Sequence, residues 1–474
     1  MNITVVGGGT AGWLAAFILS KRYGHNITVI ESSKIGIIGV GEGGTHVLGS
    51  LINGSNDFGF DPREFMDETD GTPKLTVQHI KWPNTYYIPL DLLPNTDHED
   101  FLPFLLANNK PIHLLSDMGI FIDESRMPIR EDEKGMWPAG SFSFHFDGHK
   151  VGKYLKKKST EVTTIDDIVK QVVLAEDGSI ASLELESGNT VTSDLYIDCT
   201  GFQKVLMNAL GNKWISYSEH LLMNTAIPFR LPYLNGTGPL TKAEALSAGW
   251  TWNIPLIDKT GLGYVYCDKF ITYEQAVKEL EERYEQEINI VKTIKFNPGR
   301  LEKTWVKNCV SLGLASAFVE PLEATSIHAT NIQIDELGKR LLNWEQEIYN
   351  EGMSKLYDDI KDFIVLHYKG GRDDSEFWRH VNTISTPRVD EILEIAKTRM
   401  LTAEDIPNPF NSLSYRAWNQ VLAGLGKFSP EVVAKSLVPG VEERYNEWYQ
   451  KTVEEVREYK DVMTVLIRGE EWWL

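Results

Sequence analysis

The fold is decided by the N-terminal stretch "ITVVGGGTAGW", residues 3–13. A β-branched strand, residues 3–6, runs directly into Gly7, Gly9 and Gly12, and a helix-like apolar run follows. In the order strand, G-x-G-x-x-G, helix, the first glycine permits a tight turn, the second lets the backbone approach a pyrophosphate, and the third allows close packing of helix and strand. The stretch therefore predicts a bound dinucleotide.

A second strand, "NITVIE", ends in Glu31, 19 residues beyond Gly12. A carboxylate at this place hydrogen-bonds a ribose hydroxyl and disfavours a 2′-phosphate, so the cofactor is NAD or FAD rather than NADP. We expect the start of the helix, at Thr10 and Ala11, to face the pyrophosphate, because helix N-termini favour anions.

Two later segments are further candidates for the cofactor site. The glycine-rich loop "IIGVGEGGTH", residues 37–46, is expected to close over a flat cofactor through Gly39, Val40 and Gly41. The strand of "SDLYIDCTGFQ" ends at Asp198, a second place where the sheet edge meets the cofactor. Before it, "VKQVVLAEDGSIASLELESGNTV" alternates apolar and polar residues about an Asp-Gly turn, which predicts an antiparallel hairpin inside a parallel sheet. That layout favours FAD over NAD.

Composition excludes several classes of function. The chain has 474 residues, 42% of them hydrophobic, and a formal net charge of −20. This charge disfavours binding of nucleic acid or an anionic membrane through a basic surface. The three cysteines, Cys199, Cys267 and Cys309, have no metal-ligand spacing, so neither a metal site nor a disulfide framework is expected. The N-terminus lacks a basic n-region and no segment has ~18 to 20 uninterrupted apolar residues, so we expect a cytoplasmic protein.

The run Trp250-Thr251-Trp252-Asn253-Ile254-Pro255 has the pattern W-x-W-x-I-P. Together with "GGGTAGW" and further motifs in the same order, it makes the chain resemble the flavin-dependent halogenases over all but the last hundred or so residues. The further motifs are "IGVGEG", "FHFD" (residues 144–147), "DLYIDCTGF", "FVEPLEATSI" (residues 318–327) and "HYKGGRDDSEFW".

The resemblance implies an α/β protein with an FAD-binding GR2-type, Rossmann-like three-layer fold and an antiparallel substrate sheet. Residues 1–335 would form the FAD-binding module, with the antiparallel sheet interleaved at about 75–145 and 205–290. A C-terminal helical cap on the substrate side is predicted for residues 336–474, which would be mainly helical because apolar residues recur there at three- and four-residue spacing among charges. Gly313 is a further expected contact of the cofactor.

The resemblance also implies the chemistry. FAD supplied as FADH2, O2 and a halide ion would give hypohalous acid, which passes through a tunnel to a catalytic lysine. Lys74 lies eight residues before Trp82, the family's spacing, and Lys81 is the alternative. The catalytic glutamate maps to Glu323, with Glu320 as the alternative acid.

Halide is expected at the backbone amides of Thr325 and Ser326. Where the family reads Glu-Ser-Thr-Gly, this chain reads Glu323-Ala324-Thr325-Ser326. The change removes a hydroxyl and a glycine, so bromide or iodide is expected to be used in preference to chloride.

Trp250, Trp252 and Pro255 would line the tunnel and keep the organic substrate away from the flavin. Side chains at alternate strand positions point to the same face. The alternative interpretation is that the two indoles form one apolar face of a core strand.

The substrate is expected to be a small aromatic molecule of the indole or phenol type. Ile88 and Leu90 stand where tryptophan-acting members carry histidine and phenylalanine, which disfavours free tryptophan. With no second dinucleotide fingerprint, reduced flavin would come from a separate reductase. A homo-oligomer is left open, and so are two other functions: an FAD-dependent aromatic hydroxylase and a catalytically silent flavin-binding protein.

Overall fold

The computed structural model describes most of the chain. The described residues are 1–36, 42–53, 60–82, 84–89, 97–132, 135–139, 142–232, 238–257, 259–407, 410 and 413–461.

The described strands are β1 (Asn2–Val6), β2 (Asn26–Glu31), β3 (Glu42–Gly43), β4 (Thr72–Lys74), β5 (Thr76–Ile80), β6 (Tyr86–Pro89), β7 (Ile129–Asp132), β8 (Gly135–Pro138), β9 (Ser143–Phe146), β10 (Thr163–Asp166), β11 (Val169–Leu174), β12 (Ile180–Leu185), β13 (Thr190–Val191), β14 (Leu195–Asp198), β15 (Trp214–Ser216), β16 (Thr225–Pro232), β17 (Leu240–Ala245), β18 (Gly249–Pro255), β19 (Lys259–Tyr266), β20 (Ile294–Lys295), β21 (Gly299–Leu301), β22 (Trp305–Val306), β23 (Cys309–Ser311) and β24 (Ala317–Phe318).

The described α-helices are α1 (Thr10–Lys21), α2 (His46–Asn53), α3 (Pro62–Thr69), α4 (Asp97–Ala107), α5 (Asp117–Asp123), α6 (Gly148–Lys158), α7 (Val205–Ala209), α8 (Tyr273–Tyr284), α9 (Thr325–Leu341), α10 (Gln346–His367), α11 (Glu376–Val381), α12 (Pro387–Ala396), α13 (Tyr415–Gly424), α14 (Pro430–Lys435) and α15 (Val441–Arg457).

The chain divides into two compact units, each built from three separate stretches. The first unit has the bounds Met1–Gly39, Asp147–Ser218 and Asn297–Lys361. The second unit has the bounds Val40–Phe146, Glu219–Phe296 and Asp362–Leu474.

The first unit is built on a six-stranded sheet in the order β10-β2-β1-β14-β23-β22. The strands from β10 to β23 are parallel, and β22 pairs antiparallel with β23. Four of the five residues of β1 are buried, as expected for a parallel strand that is covered on both faces. Helix α1 packs against α6 and α9. This is the Rossmann-like arrangement that the glycine motif predicts.

The predicted hairpin is present in the same unit. Strands β11 and β12 are antiparallel, with Gly178 at a φ of +80° in the turn between them, and β13 completes a three-stranded sheet. Only glycine adopts this backbone conformation without strain, so the Asp-Gly signal identified the turn correctly.

The second unit contains a seven-stranded sheet in the order β20-β16-β19-β18-β17-β5-β6. Neighbouring strands are antiparallel except for β17 and β5, which are parallel. A smaller sheet places β9 between β3 and β4. Helices α11 to α15 belong to this unit. The predicted α/β class, with an antiparallel sheet and C-terminal helices, is confirmed.

The predicted division of the chain at residues 335 and 336 falls inside helix α9. The assignment of 1–335 to an FAD-binding module and of 336–474 to a cap on the substrate side stays a prediction. Among the described helices there is none whose length and apolar content would let it cross a membrane.

Asp198 is the main polar anchor at the end of the central sheet. Its buried carboxylate accepts hydrogen bonds from the backbone N–H groups of Leu206 and Met207 at Oδ2, at 2.8 and 3.0 Å. At Oδ1 it accepts from the N–H and hydroxyl of Thr200, at 3.0 and 2.6 Å. The side chain thereby ties β14 to the start of α7.

We predict that Asp198→Asn lowers the free energy of unfolding by about 3 kcal/mol. The amide NH2 group of asparagine would replace one carboxylate oxygen and would then face buried N–H or O–H groups that need an acceptor. Asp177→Asn, in an exposed turn where an amide oxygen still accepts from Ser179, should change the free energy of unfolding by less than about 0.5 kcal/mol. Denaturant unfolding followed by circular dichroism measures both. Equal losses in the two variants would contradict the anchoring role.

Candidate functional site

The glycine turn of the first unit is built as its sequence predicts. Gly7 has a φ of +117°, and a Cβ there would lie 2.3 Å from the carbonyl oxygen of Cys199. A Cβ on Gly12 would lie 1.9 Å from the carbonyl oxygen of Gly7, so only glycine lets α1 approach β1 this closely. A Cβ on Gly9 would meet nothing within 4 Å. The first and last glycines are thus required by packing, whereas the middle one borders open space.

The start of α1 offers polar groups toward that open space. The helix begins at Thr10 after Gly9, without a side-chain cap. The buried hydroxyl of Thr10 has no hydrogen-bond partner among the described residues. An uncapped helix N-terminus beside a buried unsatisfied hydroxyl and an open backbone suits a phosphate group. These residues fit the pyrophosphate of FAD.

Glu31 lies beside the same turn at the end of β2. Its Oε2 accepts from the indole Nε1 of Trp13 at 2.9 Å, and its Oε1 accepts from Nζ of Lys156 at 2.6 Å. A Cβ on Gly8 would lie 2.1 Å from Oε2, so the carboxylate packs directly on the glycine turn. Each oxygen keeps a second acceptor position for a ribose hydroxyl. No motif in the sequence indicated Lys156, which is one of three consecutive lysines in α6.

The remaining predicted cofactor residues differ in how far the structure describes them. Gly313, at a φ of +61°, would place a Cβ 2.7 Å from Cβ of Ala11, so its loop packs against the start of α1. Burial raises the pKa of Asp198, and its hydrogen bonds act in the opposite direction. Its carboxylate is engaged within the chain, and a direct contact with the cofactor stays a prediction. Gly39, Val40 and Gly41 lie outside the described residues.

The segment with the predicted glutamate and halide residues is also in the first unit. Glu323 is buried and ends a short 3-10 helix, Pro321–Glu323. Ala324 follows in the left-handed region, with a φ of +54°. Helix α9 then begins at Thr325, whose buried hydroxyl is unpartnered within the described part of the chain. Ser326 lies in the first turn of α9, where a glycine is not needed; the demanding backbone position is Ala324 instead.

In the second unit, the two candidate lysines have opposite environments. Lys74, at the end of β4, has an exposed fraction of 0%, and its Nζ donates to the carbonyl oxygen of Gly44 at 3.0 Å. The side chain of Lys81 is 61% exposed, and its Nζ pairs with Glu244 at 2.8 Å. Arg283 binds the other oxygen of that carboxylate. The geometry favours Lys74, because an ammonium is rarely buried without a specific role.

The two indoles of the W-x-W-x-I-P strand are packing residues as well as tunnel candidates. Trp250 is buried and Trp252 is half-buried, with ring centroids 6.5 Å apart in an edge-to-face arrangement. A Cβ on Gly263, the partner of Trp252 on β19, would lie 2.0 Å from that indole. The carbonyl oxygen of Pro255 accepts from the hydroxyl of Thr72 at 2.7 Å. The role of these residues in a tunnel stays a prediction.

Comparisons with known proteins show the family to which the chain belongs. The family model for tryptophan halogenases matches residues 2–438. The chain is 30% identical to a tryptophan 6-halogenase of Streptomyces toxytricini, over 90% of this chain and 89% of that protein. It is 31% identical to a tryptophan 7-halogenase of Lentzea aerocolonigenes, over 80% of this chain and 78% of that protein. The solved structure of Tar14, a tryptophan C-6 flavin-dependent halogenase from taromycin biosynthesis, superposes with a TM-score of 0.88 at 28% identity over 99% of both chains.

The Rossmann-like sheet and its glycine turn define a dinucleotide-binding protein. The chain belongs to the tryptophan halogenase family of flavin-dependent halogenases. The predicted resemblance is confirmed, and the family implies the use of FAD and O2. The individual site residues stay predictions.

We predict that Gly9→Ala and Gly12→Ala separate cofactor binding from folding. Gly9→Ala should leave the melting temperature of the apoprotein unchanged but weaken FAD binding at least ~10-fold, since the new methyl group fills the space meant for a phosphate. Gly12→Ala should lower the melting temperature, because its Cβ overlaps the carbonyl oxygen of Gly7. Thermal unfolding and quenching of flavin fluorescence measure the two effects. FAD binding unaffected by Gly9→Ala would contradict the assignment of this turn.

Proposed function

We propose that the chain is an FADH2-dependent halogenase that uses Lys74 and Glu323 to halogenate a small aromatic substrate of the indole or phenol type. The observation that carries the proposal is the buried ammonium of Lys74, which is hydrogen-bonded to the carbonyl of Gly44. Burial of a charged group is costly unless it is hydrogen-bonded. In this family a diffusible oxidant is delivered to a lysine, and that role gives a reason for an ammonium to be buried and hydrogen-bonded at this position.

Bound FADH2, with O2 and a halide ion, supplies hypohalous acid. Lys74 would then hold this electrophile against one carbon of the substrate. Its ammonium offers three N–H donors, one of which is given to the carbonyl oxygen of Gly44, and donors of this kind hydrogen-bond the oxygen or halogen of the acid. Formation of a haloamine on the neutral amine is the other route. Both routes replace free diffusion by a fixed approach to the substrate.

Glu323 would complete the substitution. Attack of the ring on the halogen forms a carbon–halogen bond, releases the oxygen of hypohalous acid as water after protonation, and leaves one proton to be lost from the ring. A buried carboxylate is suited to orient the electrophile or to accept that proton. Glu320 directly precedes the 3-10 helix and is fully buried, and it is the alternative base.

The halide would bind at the start of α9. Because alanine has no side-chain acceptor, the first-turn N–H groups at Thr325 and Ser326 are not capped by residue 324. The buried hydroxyl of Thr325 adds a donor that lacks a partner within the described residues. Bromide and iodide are less strongly hydrated than chloride, so they lose less hydration free energy on binding. A site with few donors therefore favours them over chloride. The flavin would arrive reduced from a separate reductase.

Lys74→Ala should lower halogenated product at least ~100-fold, because it removes the group that holds the electrophile in the transition state. The matched control is Lys81→Ala, which removes a largely exposed ammonium and should keep activity within about 3-fold. Purified protein is supplied with FAD, a flavin reductase, NADH, air and bromide, and a panel of indoles and phenols is analysed by mass spectrometry.

Three results of this assay would count against the proposal. Product formation by Lys74→Ala at the wild-type rate would remove the lysine from the mechanism. Oxygenated product formed without halide would identify a hydroxylase. Tight FAD binding with wild-type and Lys74→Ala alike inactive across the panel would favour a silent flavin-binding protein.

The halide preference gives a separate prediction. With equal concentrations of chloride and bromide, the wild-type protein should form mainly brominated product, and Ala324→Ser should raise the chlorinated fraction by restoring a hydroxyl. Ala181→Ser is the control, since it adds the same hydroxyl at an exposed position of β12 and the product ratio should stay unchanged. Mainly chlorinated product from the wild type would contradict the assignment.

A further inference from the structure

The strand that carries Lys74 is held by β9, the central strand of its small sheet. Strand β9 pairs on one side with β4, where Lys74 lies opposite Ser143, and on the other side with β3. Its Phe144 carbonyl also accepts the N–H of Gly44 at 2.8 Å. One strand therefore positions both the lysine and the carbonyl to which the lysine donates.

At the centre of β9 is His145, a fully buried histidine with two defined partners. Its Nδ1 lies 3.1 Å from Oγ1 of Thr72 on β4, and its Nε2 lies 2.9 Å from Oγ1 of Thr241 on β17. The hydroxyl of Thr72 donates its single hydrogen to the carbonyl of Pro255. Oγ1 of Thr72 must therefore accept, so Nδ1 of His145 carries the hydrogen and Nε2 accepts from Thr241.

The result is a directed chain of three hydrogen bonds, from Thr241 to His145, from His145 to Thr72, and from Thr72 to Pro255. Burial, and then the positive charge of Lys74, hold the pKa of His145 well below its usual value. The imidazole stays neutral near neutral pH, so Nε2 remains an acceptor. The hydrogen-bond chain keeps its direction while the neighbouring ammonium carries the charge.

We propose that His145 is a positioning residue for the reaction, fixing the strand of Lys74 against the Pro255 end of the W-x-W-x-I-P strand. Without the contact from His145, the hydroxyl of Thr72 is no longer held in the orientation in which it donates to Pro255, so β4 is less firmly placed and Lys74, two residues along the same strand, shifts with it. A displacement of about 1 Å at a reacting group costs on the order of 100-fold in rate. The inference rests on the proposed role of Lys74.

Substitutions at His145 can remove the two contacts separately. His145→Asn places an amide N–H near the position of Nδ1 and keeps the donor to Thr72. His145→Gln reaches the position of Nε2 and keeps a partner for Thr241 but loses the contact to Thr72. His145→Phe keeps the ring volume and removes both contacts.

The experiment measures two rates with the full-length protein, FAD, a reductase, NADH and bromide. Hypobromous acid is measured with a β-diketone trap in the absence of aromatic substrate, and brominated product is measured in its presence. In His145→Phe and His145→Gln, brominated product should fall at least ~10-fold while trapped hypobromous acid stays within about 2-fold of wild type. In His145→Asn, both rates should stay within about 3-fold, since the donor to Thr72 is kept.

The ratio of the two rates separates positioning from stability, because loss of folded protein lowers both in proportion. Thr72→Val should lower the ratio as His145→Phe does. Thr69→Val, which also removes a buried hydroxyl, should leave it unchanged, since that hydroxyl donates to the Phe65 carbonyl within α3. If His145→Phe does not fold, Thr72→Val and His145→Gln carry the same test.

Two outcomes would overturn the inference: a proportional fall of both rates in His145→Phe or Thr72→Val, or a ratio in His145→Asn as low as in His145→Phe. Lys74→Ala is measured in parallel. If that variant keeps wild-type product formation, the proposed function fails whatever His145 does. If Lys74→Ala is inactive and His145→Phe keeps the wild-type ratio, only the inference about His145 fails.

Discussion

The close approach of α1 to the central sheet is the constraint on which the cofactor end of this protein depends. The Cα of Gly12 lies so near the Gly7 carbonyl that a Cβ would sit 1.9 Å from it, and Gly7 is itself pressed against the Cys199 carbonyl. This contact sets where α1 starts, and therefore the positions of the open backbone of Gly9 and of the Thr10 hydroxyl, which has no partner among the residues that the structure describes. A side chain at either outer glycine would move the helix start and the phosphate site together.

The main constraint in the second unit is the burial of a positive charge. Lys74 is completely buried, and its ammonium is satisfied by a backbone carbonyl whose own segment is held by the strand next to the lysine. Lys81 differs, because its ammonium pairs with the carboxylate of Glu244 near the surface. Burial, and then the positive charge of Lys74, lower the pKa of His145. A second cation beside Lys74 is therefore disfavoured, and His145 stays neutral.

The sequence predicted most of the fold and part of the candidate site. The glycine motif, the Asp-Gly hairpin and the W-x-W-x-I-P strand are local patterns, and each occurs in the structure as a turn or strand of the expected type. The spacing rule that favoured Lys74 over Lys81 agrees with their burial. By contrast, the links of Glu31 to Lys156 and of His145 to Thr72 and Thr241 join residues far apart in sequence. No periodicity encodes such pairs, so only the folded chain reveals them. The left-handed backbone at Ala324 is also a feature that the sequence did not indicate, whereas the role of Ser326 stays a prediction.

The parallel pairing of β5 with β17 has a consequence for how the protein folds. Thr76 on β5 pairs with Leu240 on β17, so the strand directly after Lys74 is hydrogen-bonded to a strand made much later. During synthesis, β5 must therefore wait until residues 240–244 have been made before it gains this neighbour. Pairing at such sequence separation is slow and leaves strand edges open to wrong partners in the meantime. A chain that stalls before residue 240 therefore carries, directly after Lys74, a strand that lacks its parallel neighbour.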